Sequence, residues 1–403
     1  MRILVHDYSG HPFQVQLSRS LAARGHDVLH VHCASYQTGK GAVFHRDGDP
    51  PNLEIDAIDL GRSFDRYSLA RRLRQELSYG AAFGRRALRF DPEVILSSND
   101  PLFAKTRAAL WCRRHDVPWV FWLQDIYSVA MAAYASRRFG ALGRLLGRVF
   151  QALERRLLHA ATDVVAITED FRPVLKTWGL PDSKCHVVEN WAPLEELDVR
   201  PKDNPWSRAH GLQDQRVLLY SGTLGLKHDP HLLTDLARRF KDEGVKVVVV
   251  SQGAGATWLE REQQVQGLSN LILLPYQPFE ALPDVLGAAD VLLTLLDPGA
   301  AVFSVPSKIL TYLCAGRPVL AAMPLQNLGA RTIERAGAGV VVAPKDVSGF
   351  LAAAGELLAD ADRRQVMGTN ARAYAERTFD IETIADRFER ILVDAAERAV
   401  SRG

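Results

Sequence analysis

Cysteine is scarce in this 403-residue sequence, with only Cys33, Cys112, Cys185 and Cys314, far apart and in no C-x-x-C pair. With cysteines so widely spaced, neither a structural zinc site nor a disulfide framework is expected. They read as reduced, mostly buried thiols. Long apolar runs are missing too: no window approaches the roughly 18 residues of a membrane span. The apolar start Met1-Arg2-Ile3-Leu4-Val5 is too short for a secretory signal. A cytoplasmic protein is therefore expected, with any membrane contact peripheral and on the inner face. Net charge is only +2, which names no acidic or basic partner by itself. The glycine loops lack the usual nucleotide fingerprints: Ser9-Gly10-His11-Pro12 is not G-x-G-x-x-G, and Gly222–Lys227 is not G-x4-G-K-[ST].

What is present is alternation. A strand at Arg2–His6 is followed by a glycine-containing loop, then a helix with Pro12 at its first position, closed at Gly25, then a strand at Asp27–His32. That is a βαβ unit. Strand-like runs recur at Leu53–Leu60, Glu93–Ser97, Pro118–Leu123, Asp163–Ile167 and Cys185–Val188. Helical segments separate most of them. A second series has strands at Arg216–Ser221, Lys246–Val250, Asn270–Leu274, Asp290–Leu295, Pro318–Ala322 and Gly339–Val342. The expected fold is α/β: two Rossmann-like, doubly wound parallel sheets facing a central cleft. Pro193–Gly211 has three prolines among charged residues and no periodicity, and reads as the linker.

Ligands of such sheets gather beyond the carboxyl ends of the strands. In the first half those ends carry Ser9-Gly10-His11, Asn99-Asp100, Gln124-Asp125, Thr168-Glu169 and Glu189-Asn190. Singly each is a cap or turn; together they favour a binding edge. Residues 62–160 hold 18 Lys and Arg against eight Asp and Glu. Much of this charge alternates with Leu, Phe and Val on helices at Ser68–Phe90 and Ser136–His159. Either it is a solvated helix face or it rests on anionic lipid headgroups. Nucleic acid is not expected, since no recognition motif or aromatic stacking pattern accompanies the charge.

In the second half, Leu296–Ala322 runs from a strand through a loop into a short helix opening at Ser307-Lys308. A cation there meets the positive end of the helix dipole, a cost of roughly 0.3–1 kcal/mol unless an anion is bound. A lysine extended into solvent is the alternative. Gly222-Thr223-Leu224-Gly225-Leu226-Lys227 follows the first strand of this half and precedes a helix with Asp229 as N-cap and Pro230 at N1. Two glycines, a lysine and a helix start again suit an anion. Gly253-Ala254-Gly255 and Tyr276-Gln277-Pro278 close the next two strands.

In order along the chain, Gly25-His26-Asp27-Val28, Glu189-Asn190-Trp191, Ser221-Gly222 through Lys227, Leu274-Pro275-Tyr276-Gln277-Pro278, Ala288-Ala289-Asp290-Val291 and Pro306-Ser307-Lys308 through Val319 resemble one family. It is the large group of retaining GT-B glycosyltransferases that includes sucrose synthases and mannosyltransferases. The likeness spans essentially the whole chain, and within the group it is nearest to bacterial colanic-acid and O-antigen enzymes. It implies an acceptor-binding domain at 1–195, a linker at 196–210, a donor-binding domain at 211–378, and a C-terminal helix at 379–403 crossing back to the first domain.

The resemblance implies transfer from a nucleotide diphosphate sugar, UDP-linked by preference, to a glycan or lipid-linked acceptor, with no cofactor and no metal. Asp47-Gly48-Asp49 matches an Asp-x-Asp string but precedes Pro50-Pro51 and reads as a turn. By resemblance, Lys227, Lys308, Asp125 and His11 carry the chemistry. Gly222, Thr223 and Ser307 adjoin the diphosphate, Gly253 lets a planar ring or phosphate of the donor approach, Tyr276 and Gln277 meet the base, Thr311 the ribose, and Phe303, Ser304 and Val305 the sugar. Ser9, Gly10, Asn99 and Asn190 stand on the acceptor side. Two departures stand out. The family commonly has glutamates at the positions of Phe303 and Thr311, and an arginine at Thr223. Two alternatives share the architecture: a nucleotide-sugar 2-epimerase, which needs cleft carboxylates, and a non-catalytic sugar-nucleotide-binding subunit.

Overall fold

A computed structural model describes residues 1–35, 43–61, 69–98, 100–225, 228–300 and 305–401. The chain forms two compact units, Met1–Asn190 together with Ile381–Gly403, and Trp191–Asp380.

The first unit is a seven-stranded sheet of β1 (Arg2–Asp7), β2 (Asp27–Cys33), β3 (Leu53–Ile58), β4 (Val94–Ser97), β5 (Trp119–Leu123), β6 (Asp163–Ala166) and β7 (Cys185–Val187), in the order β3-β2-β1-β4-β5-β6-β7. Every pairing is parallel. Central strands such as β1 are buried on both faces, which is why they read as continuous Ile-Leu-Val runs. Pro12–Ala23 follows β1 with proline at its first turn, and the C-terminal helix Ile381–Val400 packs beside it. Arg24 joins the two, pairing with Glu382, Asp386 and Glu389 at 2.5–2.8 Å. Phe388 of the same helix meets Trp122 of β5 at 4.7 Å between ring centroids. Helix Leu69–Phe90 packs on Leu102–Arg114, which in turn packs on the helical segment Tyr127–Ala160.

The second unit has six parallel strands: β8 (Arg216–Ser221), β9 (Val245–Val250), β10 (Leu271–Leu274), β11 (Val291–Leu295), β12 (Val319–Ala322) and β13 (Gly339–Val342), in the order β10-β9-β8-β11-β12-β13. In both sheets the order reverses direction beside the first strand, at β1/β4 and β8/β11. That is where ligands of doubly wound sheets collect.

Two local readings differ from the sequence expectation. Residues 193–211 are not featureless: they hold a 3-10 turn, Leu194–Glu196, and a short helix, Pro205–Ala209. Asn204 caps that helix through a reciprocal box with Ser207, and its amide donates to Pro201 and Asp284 carbonyls at 2.9 Å. Prolines masked a capped helix there. The helix after β8 begins at His231, with Pro230 at the cap, while Asp229 Oδ1 still accepts the His231 N–H at 3.0 Å.

Candidate functional site

The loop after β8 is held open by backbone geometry. Gly222 sits at φ +131°, and its N–H donates to Val250 O at 3.0 Å. Tyr220 Oη, at the end of β8, donates to Thr223 O at 2.9 Å, and Thr223 Oγ1 bonds the Tyr276 hydroxyl. Leu224 N–H donates to Ser251 Oγ at 3.1 Å, tying this loop to the one after β9. Gly253, at φ +112°, lies so close that a Cβ there would stand 3.0 Å from Leu224 O. Glycine is required at both positions by conformation, and at 253 by the close approach as well.

Lys308 opens the seven-residue helix Lys308–Cys314 but does not extend into solvent. Its Nζ is buried, has no hydrogen-bond partner among the described residues, and lies 3.6 Å from the Tyr220 ring centroid. Burial pushes its pKa well below the ordinary lysine value. The ring face offers partial compensation as a cation–π contact. A buried cation with only a ring face to compensate it among the described residues is costly unless an anion arrives. Tyr312, on the same helix, cross-links the sheet at the switch point. Its hydroxyl accepts Ser221 N–H at 2.9 Å and has Ser221 and Leu293 carbonyls at 3.0 and 3.2 Å.

Gln277 has both ends of its amide engaged within the protein. Trp206 Nε1 donates to its Oε1 at 3.1 Å, and its Nε2 donates to Pro275 O at 2.9 Å. A cavity of about 280 Å³ lies at the carboxyl ends of β9 and β10, lined in part by Ser251, Gly253, Thr257 and Pro275. A larger one, about 550 Å³, lies at the amino ends of β11 and β12 around Asp290 and Pro318, on the opposite edge from the glycine loops. Size alone does not mark the site here. Ser307 is exposed, and Val305 and Thr311 are half-buried on the helix approach. Lys227, Phe303 and Ser304 lie outside the described residues.

In the first unit, the loop Ser9-Gly10-His11 is built on the Asp7 carboxylate. Asp7 is fully buried and accepts Gly10 N–H at 3.1 Å, His11 N–H at 2.5 Å and His11 Nδ1 at 3.3 Å. Burial alone would raise its pKa; the His11 bonds and the imidazoles of His11 and His30 outweigh that and hold it below the ordinary carboxylate value. With Nδ1 turned to Asp7, Nε2 is the ring nitrogen not engaged by that carboxylate. Ser9 is buried beside it. Asp125 is half-buried at the end of β5. Next to it Gln124 Oε1 accepts Asn190 Nδ2 at 2.5 Å, joining the loops after β5 and β7. Asn99 lies outside the described residues. Asp47-Gly48-Asp49 forms a turn, with Gly48 at φ +91° and Asp49 paired to Arg19 at 2.7 Å.

The geometry has known counterparts. Residues 11–191 match the glycosyl transferase 4-like domain, and residues 203–374 match the glycosyl transferases group 1 family. The chain belongs to the GT-B glycosyltransferases. Over 307 residues this transferase is 27% identical to WcaI of Escherichia coli (strain K12), assigned as a colanic acid biosynthesis glycosyl transferase, covering 74% of each chain. Among solved structures it is similar to HepE of Anabaena, crystallised with UDP and glucose, at 19% identity. That match has a TM-score of 0.71 over 98% of this chain and 99% of the other. It is likewise similar to the sucrose-phosphate synthase of Thermosynechococcus elongatus, at 17% identity and a TM-score of 0.72, over 97% and 98%.

Within the transferase, the structure brings Gly222, Thr223, Gly253, Tyr276 and Lys308 to one sheet edge. Asp7, Tyr312 and Trp206 support that edge and its counterpart in the first unit, and sequence reasoning gave none of the three a role there. Asp7 ends a strand and Tyr312 falls among the apolar positions of a helix, so periodicity assigns both to structure. Trp206 sits in the stretch read as linker. Only its burial and its bond to Gln277 connect it to the site.

Proposed function

We propose that this glycosyltransferase moves a sugar from a nucleoside diphosphate sugar, UDP-linked by preference, to a glycan or lipid-linked polysaccharide precursor, with retention at the anomeric carbon and no metal. One observation carries the reading: the Lys308 ammonium, buried without a partner among the described residues beside the Gly222-Thr223 loop. Negative charge grows on the β-phosphate as the sugar C1–oxygen bond breaks. A fixed cation and backbone N–H groups aimed there stabilise the transition state more than the ground state. Lys227 joins Lys308 in this role, and Tyr276 meets the nucleoside.

The acceptor oxygen forms its new bond to C1 on the face the phosphate leaves, and its proton passes to the leaving phosphate oxygen. His11, oriented by Asp7, together with Asp125 and Asn190, positions the acceptor. Support for a UDP donor and a polysaccharide product comes from the relatives, one crystallised with UDP and glucose and one assigned to colanic acid biosynthesis. A lipid-linked acceptor places the enzyme at the inner membrane surface; no helix among the described residues is long and apolar enough to cross a membrane. The test is transfer of labelled sugar from UDP-, GDP- and dTDP-sugars to membrane extracts. Incorporation from one donor supports the reading, and none from any donor by folded protein overturns it.

A further inference from the structure

The segment Tyr127–Ala160 is a helical hairpin rather than one rod. Gly140, at φ 53° and ψ −121°, breaks it, and the second helix returns along the first. Three contacts fix the antiparallel register. Glu154 accepts the N–H groups of Tyr127 and Ser128 at 3.1 and 3.0 Å. A Cβ on Gly147 would stand 2.6 Å from Ala132 Cβ, and one on Gly143 would overlap the Ala135 carbonyl. The two glycines, one turn apart, let the helix backbones touch. The opposite face of the second helix is left bare.

That face has an unusual composition. Leu142, Leu145 and Val149 recur at i, i+3 and i+7 and are 61%, 57% and 57% exposed. Phe139, just before the bend, is 54% exposed. Arg144, Arg148 and Arg155 form the adjoining stripe, all exposed, and none makes an ion pair among the described residues. The segment has six arginines and a single acid, Glu154, which is buried and occupied by the capping bonds. An exposed surface of aliphatic side chains edged by unpaired guanidinium groups, with no exposed carboxylate, fits an apolar layer under a plane of negative charge.

We propose that the second helix of this hairpin, through Leu142, Leu145, Val149 and the flanking Arg144, Arg148 and Arg155, docks on an anionic phospholipid surface. A second copy of the chain is a poorer occupant, because it would bring arginine against arginine. Nucleic acid is poorer too, because a single ring, Phe139, among three aliphatic side chains makes no run of stacking platforms. The hairpin begins directly after Gln124 and Asp125 at the carboxyl end of β5. Docking would therefore hold the acceptor-side loops of the first unit near the lipid. The inference rests on the membrane-proximal acceptor reading for its purpose, though its test needs neither donor nor acceptor.

The full chain is mixed with vesicles of phosphatidylcholine alone or with about 30 mol% phosphatidylglycerol, and bound protein is measured by co-sedimentation. Wild type is expected to bind the anionic vesicles about ten-fold better and to be released by salt. The triple variant Leu142→Ser/Leu145→Ser/Val149→Ser, and separately Arg144→Gln/Arg148→Gln/Arg155→Gln, should each lose about ten-fold in binding. Both should keep a UDP-induced rise in Tm, which reports the donor site independently. In Leu145→Trp, the added indole's emission should shift blue with anionic vesicles and be quenched by brominated acyl chains. The proposal is overturned by equal binding to both vesicle types, by aliphatic and arginine variants that bind as wild type does, or by unshifted emission in Leu145→Trp. Concentration-dependent self-association abolished by the aliphatic variant, with no vesicle binding, would overturn it in favour of a second copy.

Discussion

The Lys308 ammonium fills the space that a side chain at position 222 would need. A Cβ on Gly222 would stand 3.0 Å from Nζ and 3.1 Å from Cε. The loop glycine and the helix lysine are therefore one device. Absence of a side chain on β8's exit lets a long cation from the β11–β12 connection lie under the loop, against the Tyr220 ring.

Replacing that cation should separate stability from binding. Lys308→Met keeps the volume and removes an unpaired buried amine, so the protein without nucleotide should gain about 1–3 kcal/mol. Its rate of sugar transfer should fall by about 10²–10³-fold, the scale of losing one preorganised donor to a developing anion. Chemical denaturation and initial-rate kinetics check the two halves, and a variant that loses both stability and activity would point to a structural lysine.

Gly222→Ala should act on the same device from the other side. The residue holds φ +131°, which costs an alanine about 1–3 kcal/mol, and the new methyl displaces the ammonium. Expected outcomes are a lower Tm and weaker nucleotide binding, read by thermal melts with and without UDP.

Tyr312→Phe removes the acceptor of the Ser221 N–H at the switch point. A loss of about 1–3 kcal/mol is expected, with the donor KM rising more than kcat falls, because the Gly222 loop is loosened rather than its charge removed.

The first unit should be acid-sensitive for a reason its sequence does not reveal. His30 is fully buried beside Asp7 and Ser18, and burial pushes its pKa from 6.5 down to about 4. Between those values the unfolded chain binds a proton that the folded chain refuses, so stability falls as pH drops from 6.5 towards 4. The full loss amounts to about 3 kcal/mol. The urea midpoint between pH 7.5 and pH 4.5 should fall less in His30→Gln than in wild type.

How much the sequence disclosed follows from which forces were local. Both parallel sheets were legible because Val, Ile and Leu runs alternate with helical spacing, and strand ends fell within one or two residues of the observed ones. The glycines at 222 and 253 were legible as loop signals, but their reason was not: it is the closeness of Lys308 and of Leu224, residues remote in sequence. Gln277 shows the converse. Its place at the base rests on resemblance, and the motif gives no sign that Trp206, about seventy positions earlier, donates to its amide oxygen. The hairpin turn at Gly140 was hidden because glycine inside an arginine- and leucine-rich helix leaves the periodicity almost intact.

If Lys308 receives the diphosphate, proton linkage will report it. In the free protein burial disfavours the ammonium; a bound diphosphate restores it, so binding must take up a proton above the depressed pKa. Calorimetric titration with UDP at a series of pH values up to the ordinary lysine value of 10.5, in two buffers of different ionisation enthalpy, measures that uptake. Wild type should show net proton uptake and an affinity that falls as pH rises further, and Lys308→Met should show no uptake. UDP binding of equal strength and equal proton count in the two proteins would contradict it.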